Sequence, residues 1–129
     1  MLSHNRNRDV PERLLDTPSL QAGTFAGLNL HRPVIMGVIN VTPDSFSDGG
    51  DALQAEVAIN RGRILLSTGA DLIDIGGEST RPGASAVSVD EECNRVIPVI
   101  SALAEDGALI SIDSRRAKVM AEAIAFGAG

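Results

Sequence analysis

The sequence contains no tryptophan, no tyrosine and a single cysteine among its 129 residues. Without a second cysteine, neither an internal disulfide nor a cysteine-based metal cluster can form, and we interpret Cys93 as a small packing residue. No apolar run reaches the roughly 18 residues that cross a membrane, and the polar N-terminus lacks the apolar centre of a signal peptide. These absences predict a cytoplasmic protein with no membrane partner.

Basic residues are also scarce, because eleven Lys and Arg stand against seventeen Asp and Glu, for a formal net charge of −6. Nonspecific nucleic-acid binding requires clustered Lys and Arg that neutralise phosphates, so we expect no nucleic-acid partner. An anionic small substrate remains compatible with this charge. A metal ion, an arginine or backbone N–H groups in loops would then have to meet its charge locally.

Three short apolar runs, at residues 34–39, 70–75 and 107–112, are each followed by a loop and an amphipathic stretch. Three successive βα units imply parallel strands with right-handed crossovers, in either an open sheet or a (β/α)8 barrel of about 250 residues. We predict an α/β fold, namely about three units of a (β/α)8 barrel. A flexible tail over residues 1–18 and a hairpin within residues 21–30 are predicted to precede them.

Local signals predict where the helices begin. Asp51 with Gln54 resembles a capping pair at the first helix, predicted over residues 53–68, and Ser88 with Glu91 forms a capping box for the second, which continues to about residue 105. Ser114 is expected to cap the third helix, over residues 115–125. The apolar residues at helical spacing in the first helix are Leu53, Val57, Ile64 and Leu65.

Polar side chains occur near the carboxyl ends of all three predicted strands. Alternation along a strand places Asn40, Asp74 and Asp113 on the faces that turn polar, while the opposite faces are aliphatic. We expect these three polar groups at one level inside the barrel, at the rim where such folds carry their chemistry. Plainer interpretations stay open: Asn40 as a turn residue, Asp74 as a structural carboxylate and Asp113 as a helix cap.

Each of these side chains suits a particular ligand. An ionised carboxylate only accepts hydrogen bonds, so Asp113 suits the adjacent N–H donors of an aminopyrimidine-like ring. The neutral oxygen of Asn40 suits a Mg²⁺ ion that keeps water and substrate phosphate as its other ligands. Arg81, the only basic residue in the loops at 40–50 and 76–83, is available for an anion or for stacking, or is simply solvated.

Two loop sequences, NVTPDSFSDGG at 40–50 and GGESTRPG at 76–83, together with ISIDS at 110–114, resemble the N-terminal portion of bacterial dihydropteroate synthase. The resemblance implies a pterin-binding domain over residues 19–129 of a folate-biosynthesis transferase. Such an enzyme joins p-aminobenzoate to 6-hydroxymethyl-7,8-dihydropterin diphosphate and releases diphosphate. It also implies Mg²⁺ as cofactor, these two small-molecule substrates, sulfonamides as inhibitors and a homodimeric full-length parent.

Carried over residue by residue, the resemblance implies that Asn40 binds the metal, that Asp74 and Asp113 contact the pterin, and that Asp113 and Arg81 are catalytic. The loop residues that would contact diphosphate and p-aminobenzoate are Thr42, Pro43, Asp44, Ser45, Phe46, Ser79, Thr80, Arg81 and Pro82. Departure of diphosphate, assisted by Mg²⁺, would leave a carbocation-like pterin that the amine attacks without any protein nucleophile. Further family residues on later strands have no counterpart here, so we expect the 129 residues alone to be inactive.

Two other functions remain open. The pterin-binding domain of methyltetrahydrofolate methyltransferases shares the barrel and a pterin-reading carboxylate, although the loop at 40–50 is more like the synthase. A noncatalytic fragment that binds pterin without turnover is the alternative of a different class. Consumption of p-aminobenzoate would separate the synthase from the methyltransferase, and saturable pterin binding without turnover would support the fragment.

Overall fold

The computed structural model describes residues 23–43 and 50–129. The chain divides into two compact units, residues 1–32 and 33–129. The tail predicted at residues 1–18 lies outside the described residues, as do three of the predicted site residues, Asp44, Ser45 and Phe46.

The described part of the first unit is a β-hairpin, as predicted. Strands β1 (Thr24–Phe25) and β2 (Leu28–Asn29) pair in antiparallel fashion across a two-residue turn. Both turn residues have positive φ, 49° at Ala26 and 78° at Gly27. Two consecutive positive φ angles are typical of the tight turn whose twist matches that of the flanking strands.

The second unit consists of three βα units around a parallel sheet of strand order β3–β4–β5, which confirms the predicted α/β architecture. Its elements, in chain order, are β3 (Met36–Asn40), α1 (Asp51–Ser67), β4 (Leu72–Gly76), α2 (Val89–Glu105), β5 (Ile110–Asp113) and α3 (Ala117–Ala125). None of the helices among the described residues is long and apolar enough to cross a membrane.

The helices cover one face of this sheet, and that face is the aliphatic one. Ile39, Ile73, Ile75 and Ile110 are at most 1% exposed, as the alternation predicted. Ile35 is an exception, because it precedes β3 and is exposed. The opposite face of β3 is exposed, and this is the face that a closed barrel would enclose.

Cys93 is buried in the core between the helices, in agreement with its predicted packing role. Burial raises the pKa of its thiol, with a smaller contribution from the neighbouring Glu122 carboxylate. A raised pKa lowers the fraction of thiolate, the reactive form. The structure therefore gives Cys93 the surroundings of an inert core residue.

Of the four apolar residues at helical spacing in α1, only Leu65 packs against the core, where it is partly buried. Leu53, Val57 and Ile64 are at least 40% exposed, whereas Ala58 and Gly62 are buried against the rest of the core. A Cβ atom at Gly62 would lie 2.6 Å from Leu103 Cδ1 of α2. The two helices thus meet where α1 has its smallest side chains, because only those permit so close an approach.

Of the three predicted caps, one is confirmed. The Ser88 side chain accepts a hydrogen bond from the backbone N–H of Glu91 at 3.1 Å and begins α2. The N-cap position of α1 is Gly50, not Asp51, and a glycine has no side chain with which to cap the helix. The third helix begins only at Ala117, since Ser114 Oγ accepts from the N–H of Arg116 in a turn ahead of the helix.

Candidate functional site

The strand register brings Asn40, Gly76 and Asp113 side by side at the carboxyl ends of the three parallel strands. Asp74 pairs instead with Val38 and Ser111, two residues earlier along its strand. The prediction of three polar groups at one level is therefore wrong for Asp74. The level at the rim consists of an amide, a glycine and a carboxylate.

Gly76 leaves the space between its two polar neighbours open. A Cβ atom at this position would lie 3.5 Å from Asn40 Oδ1 and 3.9 Å from Asp113 Cβ. Any larger side chain on that Cβ would fill the gap through which Asn40 and Asp113 face each other. Gly76 is thus part of the rim level, a position that strand alternation alone does not single out.

Asp74 lies below this level and is half-buried. The hydroxyl of Ser111 donates a hydrogen bond to Asp74 Oδ1 at 2.5 Å across the β4–β5 pair. This hydrogen bond agrees with the interpretation of Asp74 as a structural carboxylate. Its second oxygen can still accept a hydrogen bond from a ligand above it.

A cavity of about 90 Å³ lies over the rim, and six of the nine predicted site residues that the structure describes line it. Its lining residues are Asn40, Thr42, Glu78, Ser79, Thr80, Arg81 and Asp113. Arg81 is exposed, and its backbone N–H donates to Ser79 Oγ at 3.3 Å. Pro82 is exposed and does not line the cavity, whereas Pro43 lines an adjacent cavity of about 310 Å³.

Glu78 also lines the cavity, although it is not among the predicted site residues. Its carboxylate pairs with Arg115 at 2.9 Å and with Arg116 at 2.8 Å. The hydrogen bond from Arg115 lowers the pKa of Glu78 below its usual range. The signal that could have found this cluster is the single acid within GGEST together with the Arg115–Arg116 pair, which begins two residues after the end of β5.

The side chains at the rim can supply only part of the oxygen ligands that a hard cation needs. The described residues contain no cluster of three His, Cys, Asp or Glu side chains able to hold a metal ion. Asn40 offers one neutral amide oxygen at the open rim. One such ligand fits a Mg²⁺ ion, which usually keeps several waters and takes further oxygens from substrate phosphates.

The family described as pterin binding enzyme matches residues 36–129 of the chain. The dihydropteroate synthase of Neisseria meningitidis serogroup C is 52% identical over 108 residues, which cover 83% of this chain and 38% of that protein. A probable bifunctional folylpolyglutamate synthase/dihydropteroate synthase of Haloferax volcanii is 51% identical over 94 residues, which cover 73% of this chain and 11% of that protein.

Solved structures of related proteins are about as similar to this chain in sequence as these relatives are. Xanthomonas albilineans dihydropteroate synthase with 4-aminobenzoic acid superposes with a TM-score of 0.73 at 55% identity, over 81% of this chain and 39% of that one. The Yersinia pestis dihydropteroate synthase in a sulfonamide drug complex gives a TM-score of 0.69 at 50% identity, over 82% and 40%. The chain therefore shares their fold and spans well under half the length of these relatives.

Proposed function

The chain belongs to the pterin binding enzyme family, and from that premise we propose that it forms the N-terminal part of the active site of a dihydropteroate synthase. The proposed reaction joins 6-hydroxymethyl-7,8-dihydropterin diphosphate to p-aminobenzoate and releases diphosphate. A cytoplasmic location and a homodimeric full-length parent belong to the same proposal.

The observation that carries this proposal is the grouping of four side chains around one cavity at the rim of the parallel sheet. Asn40, Thr80, Arg81 and Asp113 come from three different βα units and line the same space. Ligand sites of such sheets lie outside the carboxyl ends of the strands. The position of the cavity is thus the one that chemistry on this fold requires.

Asp113 is proposed to read the pterin ring. It is exposed at the rim, where an ionised carboxylate can accept two adjacent N–H donors. Asp74, two residues deeper, is proposed to add an acceptor to the floor of the same pocket. The hydrogen bond from Ser111 holds one of its oxygens, so that the other is oriented before the substrate arrives.

Asn40 is proposed to supply the protein's oxygen ligand to Mg²⁺, with substrate diphosphate among the other ligands. The ion would neutralise negative charge on the departing diphosphate. Arg81, which lines the same cavity as Asn40, is proposed to contribute positive charge on the protein side. Its guanidinium can also orient the leaving group through paired hydrogen bonds.

The two loops are proposed to hold diphosphate and p-aminobenzoate and to exclude water from the carbocation-like centre. Three hydroxyl-bearing residues, Thr42, Ser79 and Thr80, line the cavity. The remaining proposed loop contacts are Pro43, Asp44, Ser45, Phe46 and Pro82. The Xanthomonas albilineans structure with 4-aminobenzoic acid supports an aromatic amine as the second substrate here.

The experiment uses a chimera in which this chain replaces the matching N-terminal part of the Xanthomonas albilineans enzyme. We expect the chimera to form dihydropteroate from both substrates with release of diphosphate, and a sulfonamide to inhibit it competitively against p-aminobenzoate. The 129-residue chain alone, assayed in parallel, is expected to release no diphosphate. A folded chimera that binds pterin but leaves p-aminobenzoate unconsumed would favour the methyltransferase-like or noncatalytic alternative.

A further inference from the structure

We propose that Arg116 is a positioning residue that ties together both ends of the loop at residues 77–87 and thereby holds Thr80 and Arg81 over the cavity. The consequence for activity rests on the proposed function, whereas the effect on the loop does not. We call residues 77–87 the second loop.

The guanidinium of Arg116 joins three separate parts of the chain. Nη1 donates to Glu92 Oε2 in α2 at 2.6 Å and pairs with Glu78 Oε2 at the start of the second loop at 2.8 Å. Nη2 donates to the carbonyl oxygen of Val87, at the end of the same loop, at 2.5 Å. A single planar group at the entrance to α3 thus connects both ends of the second loop to α2.

The start of the loop is fixed a second time from α2. Arg95 Nη1 donates to the carbonyl oxygen of Gly77 at 3.0 Å, and the Arg95 side chain is itself held by Glu91 at 2.6 Å. A Cβ atom at Gly77 would lie 2.7 Å from Val96 Cγ1, so the backbone here rests directly on the helix. Between these anchors, Thr80 and Arg81 are exposed.

The environment of Glu92 indicates that its pairing with Arg116 serves geometry more than stability. Glu92 is fully buried, and among the described residues its Oε1 has no hydrogen-bond partner. A buried carboxylate with an unpaired oxygen is costly, and apolar side chains of similar volume often serve stability as well or better. What the carboxylate supplies here is a fixed acceptor that aims Arg116 at the loop.

The geometry requires arginine at position 116. A guanidinium presents its donors in a rigid planar fork, so it reaches two carboxylates and a carbonyl oxygen at once. The ammonium group of a lysine keeps the charge but offers one nitrogen on a flexible stem. We therefore expect Arg116→Lys to leave Glu92 neutralised while the end of the loop at Val87 loses its anchor.

Hydrogen exchange resolved by segment tests the effect on the loop in the 129-residue chain. In Arg116→Lys we expect the amides of residues 79–86 to exchange at least about tenfold faster, while those of β4 and α2 keep their rates. The double variant Glu92→Met with Arg116→Met is expected to remain folded and to show the same loop-specific acceleration. Arg63→Lys, which alters an exposed pair with Asp106 away from the loop, is the matched control.

Three results would overturn the inference. The loop amides could keep their rates in both variants, every segment could accelerate equally, or the loop could lack protection in the unsubstituted chain. Uniform acceleration would identify Arg116 as a stabilising residue only. An unprotected loop would show that the anchors do not hold it.

Activity is then measured in the chimera. If Arg116 positions Thr80 and Arg81, Arg116→Lys should lower kcat/KM by about 10- to 100-fold, because small displacements of positioning groups cost that much, with the control unchanged. An active chimera whose kcat/KM is unaffected by Arg116→Lys would overturn the link between loop order and catalysis. An unsubstituted chimera that makes no product would count against the proposed function, while hydrogen exchange still decides the positioning role.

Discussion

Asp74 and Asp113 look similar in the sequence, since each is a carboxylate near the carboxyl end of an aliphatic run, on the face opposite the isoleucines. The register separates them: Asp113 shares the rim with Asn40, and Asp74 lies two residues deeper beside Ser111. Exposure follows the same order, with Asp113 exposed and Asp74 half-buried. Their proposed roles differ accordingly, one reading the ligand at the rim and the other shaping the floor.

Asp113→Asn tests the role of the rim carboxylate. The amide presents an N–H group where the proposed pterin contact needs an acceptor, so we expect kcat/KM of the chimera to fall by about 10- to 100-fold, equivalent to one charged hydrogen bond. Steady-state kinetics with both substrates measures this. Asp106→Asn, at an exposed pair with Arg63, is the control and should leave kcat/KM unchanged. Equal effects of both substitutions would contradict the assignment.

At the scale of the element, helix α1 shows how backbone proximity can override the hydrophobic pattern. Three of its larger apolar side chains, Leu53, Val57 and Ile64, face outward, while Gln54, Ala58 and Gly62 are buried. The buried face is narrow enough for Leu103 of α2 to lie against the α1 backbone. Which face of α1 is buried therefore depends on how closely α2 approaches. The spacing of apolar residues along α1 carries no information about that distance.

Gly62→Val tests this close contact. The added side chain would collide with Leu103, where even a Cβ atom would lie 2.6 Å from Cδ1. We expect the free energy of unfolding to fall by about 1–3 kcal/mol, the usual cost of overpacking, as measured by urea denaturation. Asn60→Val, at an exposed position of the same helix, should change it by less than about 0.5 kcal/mol. If Gly62→Val left the free energy of unfolding unchanged, α1 and α2 would be able to move apart without cost.

The second loop carries a pH dependence through Glu78. Its pKa is lowered in the folded protein by Arg115, so its pairing adds stability above the unfolded value of about 4.5, and this contribution disappears as pH falls through the lowered pKa. We expect Glu78→Gln to reduce the free energy of unfolding at pH 7 and the difference from the unsubstituted chain to shrink below pH 4.5. Urea denaturation at several pH values between 3 and 7 measures this difference in the free energy of unfolding.

Glu56→Gln, at an exposed position of α1, is the control for that series. Its difference from the unsubstituted chain should stay nearly constant with pH. A Glu78→Gln difference that grew toward acid pH would contradict the sign, since it would require the carboxylate to be favoured in the unfolded chain.

At the scale of the whole molecule, the described residues leave apolar surface uncovered. Met36 and Val38 line the open face of the sheet, and Val57 and Ile64 lie together on the outside of α1. Among the described strands, β3 and β5 each pair with only one neighbour. Exposed apolar patches and unpaired strand edges both favour association.

We therefore expect the isolated 129-residue chain to associate with increasing concentration. Ile64→Lys should shift this association to higher concentration by removing the most exposed apolar side chain of the α1 patch, without lowering Tm. Sedimentation velocity over a dilution series measures it. Ser67→Lys adds the same charge to an exposed polar position of α1 and should have a smaller effect. Equal effects would attribute the change to net charge rather than to the apolar patch.

The sequence by itself determined the three βα units, the hairpin and the rim positions of Asn40 and Asp113. These depend on apolar runs, strand alternation and turn residues, which act over a few neighbouring positions, and the two loop motifs were enough to indicate the family. The strand registers then placed Gly76 between the two rim side chains.

Only the tertiary structure decided the level of Asp74, the buried face of α1 and the anchoring of the second loop. Each depends on residues distant in the sequence: Ser111 beside Asp74, Leu103 against Gly62, and Arg116 between Glu78 and Glu92. Registers, helix separations and ion pairs arise when separate segments pack together. A local pattern specifies which face of a segment is apolar, but the neighbouring segment determines how close it comes and which charges meet.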